Sequence, residues 1–70
     1  MKRKNYLWRG TFNYSHEIEI KYTYAPTWAS AKTRILRRIA TDHGVNFSHV
    51  FNMFNGDKNN FTIEREDKNE

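Results

Sequence analysis

The stretch TWASAKTRILRRIATDH, residues 27–43, reads as an amphipathic helix, and the rest of the fold follows from it. At about 100° per residue, Trp28, Ala31, Ile35, Leu36 and Ile39 gather on one side, and Ser30, Arg34, Arg37, Arg38 and Thr41 on the other. One face therefore needs a core, while the opposite face is basic. Pro26 stops the extended run before it, and Pro26 or Thr27 can open the helix as first residue or N-cap. Gly44 closes it, because glycine accepts the left-handed conformation that ends many helices. Lys32 falls in the apolar stripe. Its stem is expected over Trp28 or Leu36, with the ammonium in water.

Upstream lie two alternating runs. From Tyr6 to Tyr14, the residues Tyr6, Trp8, Phe12 and Tyr14 share one side with Gly10, and Leu7, Arg9, Thr11 and Asn13 share the other. A missing side chain at Gly10 would let the helix or a bulky neighbour approach closely. From His16 to Tyr24, Ile18, Ile20, Tyr22 and Tyr24 oppose Glu17, Glu19, Lys21 and Thr23. A turn near residues 13–16 makes these an antiparallel hairpin. The expected packing turns both apolar rows toward the helix and leaves the other sheet face polar.

Downstream, residues 45–56 fit two patterns. Phe47, Val50, Phe51 and Phe54 have helical spacing, whereas His49, Phe51 and Met53 alternate as a strand would. Asn55-Gly56, followed by Asp-Lys-Asn-Asn and then Phe61-Thr62-Ile63-Glu64-Arg65, favours a hairpin with strands at 49–55 and 60–66. A short helix at 46–54 is the alternative. The expected fold class is α+β: an antiparallel sheet of about four strands in ββαββ order, with one amphipathic helix packed on one face. Residues 1–66 form the single domain, and 67–70 a frayed acidic tail.

With 70 residues, a chain buries a smaller fraction of its surface than larger domains do, so its core must be aromatic-rich or shared with a second copy. Two tryptophans, four tyrosines and five phenylalanines supply the aromatic option, and a homodimer is the other. The absence of cysteine excludes disulfides and thiolate zinc sites. The opening MKRKNYLWRG is basic but lacks the apolar run of a signal peptide, and no stretch is long enough to span a bilayer. The expected location is therefore the cytoplasm. Sequons at Asn13, Asn46 and Asn60 are then accidents of an Asn-rich chain.

No constellation points to catalysis. His16, His43 and His49 lack the spacing of a helical ligand pair, so no metal is expected. Asp42 beside His43 points about 100° away on a helix, and no nucleophile accompanies them. A histidine near a helix C-terminus suits the dipole there. The three glycines stand apart and form no phosphate loop. Neither an enzyme nor a cofactor is expected.

Charge carries the clearer signal. Twelve Lys and Arg against eight Asp and Glu give +4. Lys2, Arg3, Lys4 and Arg9 cluster near the start, and Arg34, Arg37 and Arg38 line the helix. Acidic residues dominate the last fourteen positions. The basic set is the candidate site for a partner or a nucleic acid, since guanidinium forks suit both carboxylates and phosphates. A strand-based nucleic-acid reader on the polar sheet face would use Arg9, Thr11, Asn13, Lys21 and Thr23, but Glu17 and Glu19 would face phosphate there. A single-strand platform would need stacking aromatics that this face is expected to lack.

Two strands, then Tyr24-Ala25-Pro26-Thr27 leading into a helix with Ala31-Lys32 and Arg38-Ile39-Ala40, then a closing hairpin: this layout resembles small phage and mobile-element proteins, including some anti-CRISPR inhibitors. The resemblance spans most of the chain, is one of layout, and carries no functional residue across. It implies a non-catalytic binder in the host cytoplasm that docks on a host protein or nucleoprotein defence complex. Direct DNA or RNA binding through the basic helix face and N-terminal arm is the alternative.

Overall fold

The computed structural model describes residues 4–66. Lys2 and Arg3 of the expected basic arm and the expected tail at 67–70 lie outside them. The elements are β1 (Tyr6–Tyr14), β2 (Glu17–Ala25), α1 (Trp28–His43), α2 (Phe47–Met53) and β3 (Phe61–Arg65). They form an α+β fold with one three-stranded antiparallel sheet in the order β2-β1-β3.

The expected ββαββ order is corrected at one element. Residues 47–53 are helical, as the alternative reading had it, and the strand expected at 49–55 does not form. The reason lies in which side chains reach the core. A helix brings Val50 and Phe54 together against α1, and both are fully buried. A strand would have put Phe51 and Met53 on one face and stranded Val50 and Phe54 on the other. The last strand therefore has no hairpin partner beside it. It pairs with β1, which becomes the central strand.

The helix signals act as read. Thr27 is the N-cap, its hydroxyl accepting from the Ser30 amide at 3.1 Å. Gly44 sits at φ 66°, ψ 34°. The Val45 amide donates to the Ala40 carbonyl at 3.0 Å and the Gly44 amide to Thr41 at 3.2 Å, which is the Schellman closure.

The hairpin turn settles which faces exist. Ser15 and His16 have φ of 49° and 73°, so the loop is two left-handed residues whose twist matches the strands they join. Tyr14 lies opposite Glu17, Phe12 opposite Glu19, Gly10 opposite Lys21 and Trp8 opposite Thr23. A two-residue loop pairs even positions with odd ones. The aromatic row of β1 therefore shares its face with Glu19, Lys21 and Thr23, whereas Ile18, Ile20, Tyr22 and Tyr24 go to the opposite side. The expectation that both apolar rows face the helix is corrected for β2.

Phe12 is the sheet's contribution to the buried core, with Ile35, Leu36, Ile39, Ala40, Val50 and Phe54 from the helical side. Its ring stacks on Phe61 at 5.4 Å between centroids and meets Phe54 edge-on at 4.9 Å. Gly10 is buried beneath α1. A Cβ there would lie 2.6 Å from Phe12 Cε1 and 2.8 Å from Ile35 Cδ1, so the helix rests on bare backbone.

Lys32 lies over Trp28, one of the two rests expected for it, and also reaches two further rings. Its ammonium sits 5.6 Å from the Trp28 ring, 5.3 Å from Phe51 and 4.9 Å from Phe61. Those rings belong to α1, α2 and β3, so one cation joins three elements through their π faces. Lys32→Met keeps the stem and removes the charge. It is expected to lower unfolding stability by about 1–2 kcal/mol in urea titration; an unchanged midpoint would leave the stem alone as the stabilising part.

Candidate functional site

On the helix side of β2, Glu19, Lys21 and Thr23 are half-buried, and Glu17 at the start of the strand stays exposed. Glu19 bonds the Nε2 of His43, whose ring stacks on Tyr14 at 4.0 Å. Lys21 pairs with Asp42, and its ammonium holds the Asp42 carboxyl below the usual carboxylate range, first through the hydrogen bond and then through charge. Asp42 and His43 thus face two different residues of β2. Their arrangement ties the end of α1 to the sheet. Among the described residues, no three of His, Asp and Glu come close enough to hold a metal ion.

The consequence is an open sheet face unlike the polar one expected. Lys21 and Thr23, assigned to that face in the sequence, are on the helix side. In their place stand Ile18, 61% exposed, Ile20, 54%, Tyr22, 47%, and Tyr24, 60%. Beside them on β1 run Leu7, Arg9, Thr11 and Asn13, and on β3 Thr62 and Glu64. The four β2 residues were legible as a row but not as a surface. The length of the hairpin loop was the signal that would have placed them.

The candidate basic residues are spread over several surfaces. Arg9 lies on the open face, where its guanidinium meets Glu64 at 3.0 Å and Glu66 at 3.4 Å. The Glu64 hydrogen bond, then the Glu66 charge, raise its already high pKa. The sheet face bearing the tyrosines therefore carries no net positive charge among Arg9, Glu64 and Glu66. Lys4 lies 5.9 Å from the Tyr6 ring. Arg37 leans over Phe47 of α2 at 4.9 Å.

Arg34 and Arg38, one helical turn apart, reach to the free edge of β2. Arg34 donates to the Tyr24 carbonyl and Arg38 to the Tyr22 carbonyl. Both side chains remain exposed, and a carbonyl does not neutralise a guanidinium. Among the described residues, Arg34, Arg37 and Arg38 have no carboxylate at ion-pair distance, in contrast to Arg9 and Lys21. The apolar row is thus bordered on its outer side by two cations that are hydrogen-bonded but not charge-paired. Also among the described residues, no helix is long and apolar enough to cross a membrane. No family model, curated protein or solved structure matches this chain.

Proposed function

We propose that this chain is a non-catalytic binding protein that docks through the outer part of its sheet, the β2 row and its arginine border, onto a host protein or nucleoprotein complex, in the manner of a small phage inhibitor. The observation that carries this reading is the inverted burial of β2. Glu19, Lys21 and Thr23 lie half-buried under the helix, while Ile18, Ile20, Tyr22 and Tyr24 stand in solvent. Leaving such a side chain exposed forgoes about 1.5–3 kcal/mol of burial, and a contiguous apolar row on a small domain marks an interaction surface. Tyrosine and arginine side by side are the residue types that anchor interfaces.

A pull-down from nuclease-treated host lysate tests it. Wild-type protein is expected to recover a stoichiometric partner, and Ile20→Asp/Tyr24→Ser to recover at least about tenfold less, with circular dichroism unchanged because both side chains are exposed. Equal recovery by the variant would move the interface off this surface.

A second reading has one observation in its favour. Tyr22 and Tyr24 stand beside Arg34 and Arg38, which is how bases and phosphates of a single strand could be held together. The Glu64 and Glu66 carboxylates on the same face weigh against it. Direct binding requires affinity for an unlabelled oligonucleotide that falls steeply between 50 and 200 mM salt, roughly as the number of phosphate contacts dictates.

A further inference from the structure

Resting on the docking reading above, we propose that the free edge of β2 accepts an added strand from its partner, and that this strand alternates acidic and apolar residues. The hydrogen-bond parity of the sheet supplies the first step. The Asn13 amide donates to the Asn60 carbonyl and the Glu66 amide to the Leu7 carbonyl, both at 2.9 Å, so odd positions of β1 aim their backbone groups at β3. Even positions of β1 then aim at β2, where they face Glu17, Glu19, Lys21, Thr23 and Ala25. Ile18, Ile20, Tyr22 and Tyr24 are left with their N–H and C=O groups directed outward, along the edge. The same four residues supply the exposed side chains. A strand laid there would gain main-chain bonds and apolar cover together, which is the logic of strand addition.

The arginines specify the chemistry of that strand. Arg34 and Arg38 cover the carbonyls of Tyr24 and Tyr22, while nothing among the described residues caps the backbone groups of Ile18 and Ile20. An exposed apolar edge covered by cations is guarded against indiscriminate pairing. The guanidinium–carbonyl bonds have one charged partner, whereas a carboxylate offers each guanidinium an opposite charge and a second, parallel hydrogen bond, so an acidic strand can draw both arginines off the carbonyls and take their place. Side chains alternate in direction along a strand. Those on the helix side would meet Arg34 and Arg38, and those on the open side would cover Ile18, Ile20, Tyr22 and Tyr24. The nearby Asp42 carboxylate is hydrogen-bonded and ion-paired to Lys21 and reaches Arg38 only through weaker, longer-range charge attraction. The incoming strand therefore carries acids at one parity and apolar residues at the other.

The probes are a nine-residue peptide of alternating glutamate and valine, its lysine-valine counterpart, and a twelve-nucleotide oligothymidine, each added to the isotope-labelled protein. The glutamate-valine peptide is expected to shift the amide signals of Ile18, Ile20, Tyr22 and Tyr24 and slow their hydrogen exchange at least fivefold, with the lysine peptide binding at least tenfold more weakly. Arg34→Gln/Arg38→Gln, folded by its amide spectrum, is expected to lose that preference. Strand addition is overturned if millimolar glutamate-valine peptide leaves those four amides unchanged, if the lysine peptide matches it, or if oligothymidine alone produces the shifts. Failure here beside an intact, Ile20→Asp-sensitive lysate capture would remove strand addition and keep the docking surface; loss of that capture would remove both.

Discussion

Gly10→Val is expected to destabilise this fold by about 3 kcal/mol or more, a large share of the few kcal/mol that hold a 70-residue domain together. The first added carbon would already lie 2.6 Å from Phe12 Cε1 and 2.8 Å from Ile35 Cδ1. Neither atom can yield freely. Phe12 is fully buried and clamped between Phe54 and Phe61, and Ile35 lies fully buried in the helix above. Two further methyl groups at valine must then lift α1 from the sheet or rotate Phe12 out of its stack. Gly10→Ala is expected to cost less, about 1–2 kcal/mol by urea unfolding. Its cost should shrink in an Ile35→Val background, which removes the Cδ1 atom, with a coupling of about 0.5–1 kcal/mol. Strict additivity of Gly10→Ala and Ile35→Val would show that the helix does not rest on residue 10.

That close approach was legible in the sequence. A glycine interrupting the row Tyr6, Trp8, Phe12, Tyr14 gives up a large buried side chain, and a strand gains from that loss where a neighbour must come close. So were α1 and both its ends, which depend on local chemistry at Thr27 and Gly44. What the residues did not disclose was register. Ser15-His16 carries none of the glycine or asparagine that announces a two-residue turn, yet both residues adopt positive φ. One residue more or less in that loop would have exchanged the two faces of β2. Hydrophobicity pointed the wrong way, since Ile18 to Tyr24 looks like a core row. What places the faces is the register set by the two-residue loop, and in that register the polar row meets α1 through specific pairings, Glu19 with His43 and Lys21 with Asp42.

The same limit applied to residues 47–53. Two periodicities fitted, and the decision came from β1, whose second edge was free to take β3 and left the preceding segment to cover the core as a helix. Of the candidate basic residues, charge alone identified a set, and topology divided it. Arg9 acquired two carboxylates because β3 pairs beside it, an adjacency no local pattern encodes. Arg34 and Arg38 acquired an edge.

Arg34→Ala/Arg38→Ala is expected to make the protein self-associate, with an apparent dissociation constant at least tenfold below that of wild type, or about 1.4 kcal/mol in favour of assembly. The double variant uncovers the Tyr22 and Tyr24 carbonyls on an edge strand whose neighbouring side chains are Ile18, Ile20, Tyr22 and Tyr24, and it deletes the like charges that two approaching copies would bring together. An antiparallel β2-to-β2 contact would join two apolar rows into one. Light scattering across a concentration series reads the change directly. Lysine at both positions keeps the repulsion without the forked cap, so Arg34→Lys/Arg38→Lys should fall between the two. Ile20→Lys added to the alanine pair should restore the wild-type mass, because it returns a charge to the centre of the same strand. Unaltered association of the alanine pair would mean that these guanidiniums do not guard the edge. Association that Ile20→Lys fails to reverse would place the contact on another surface.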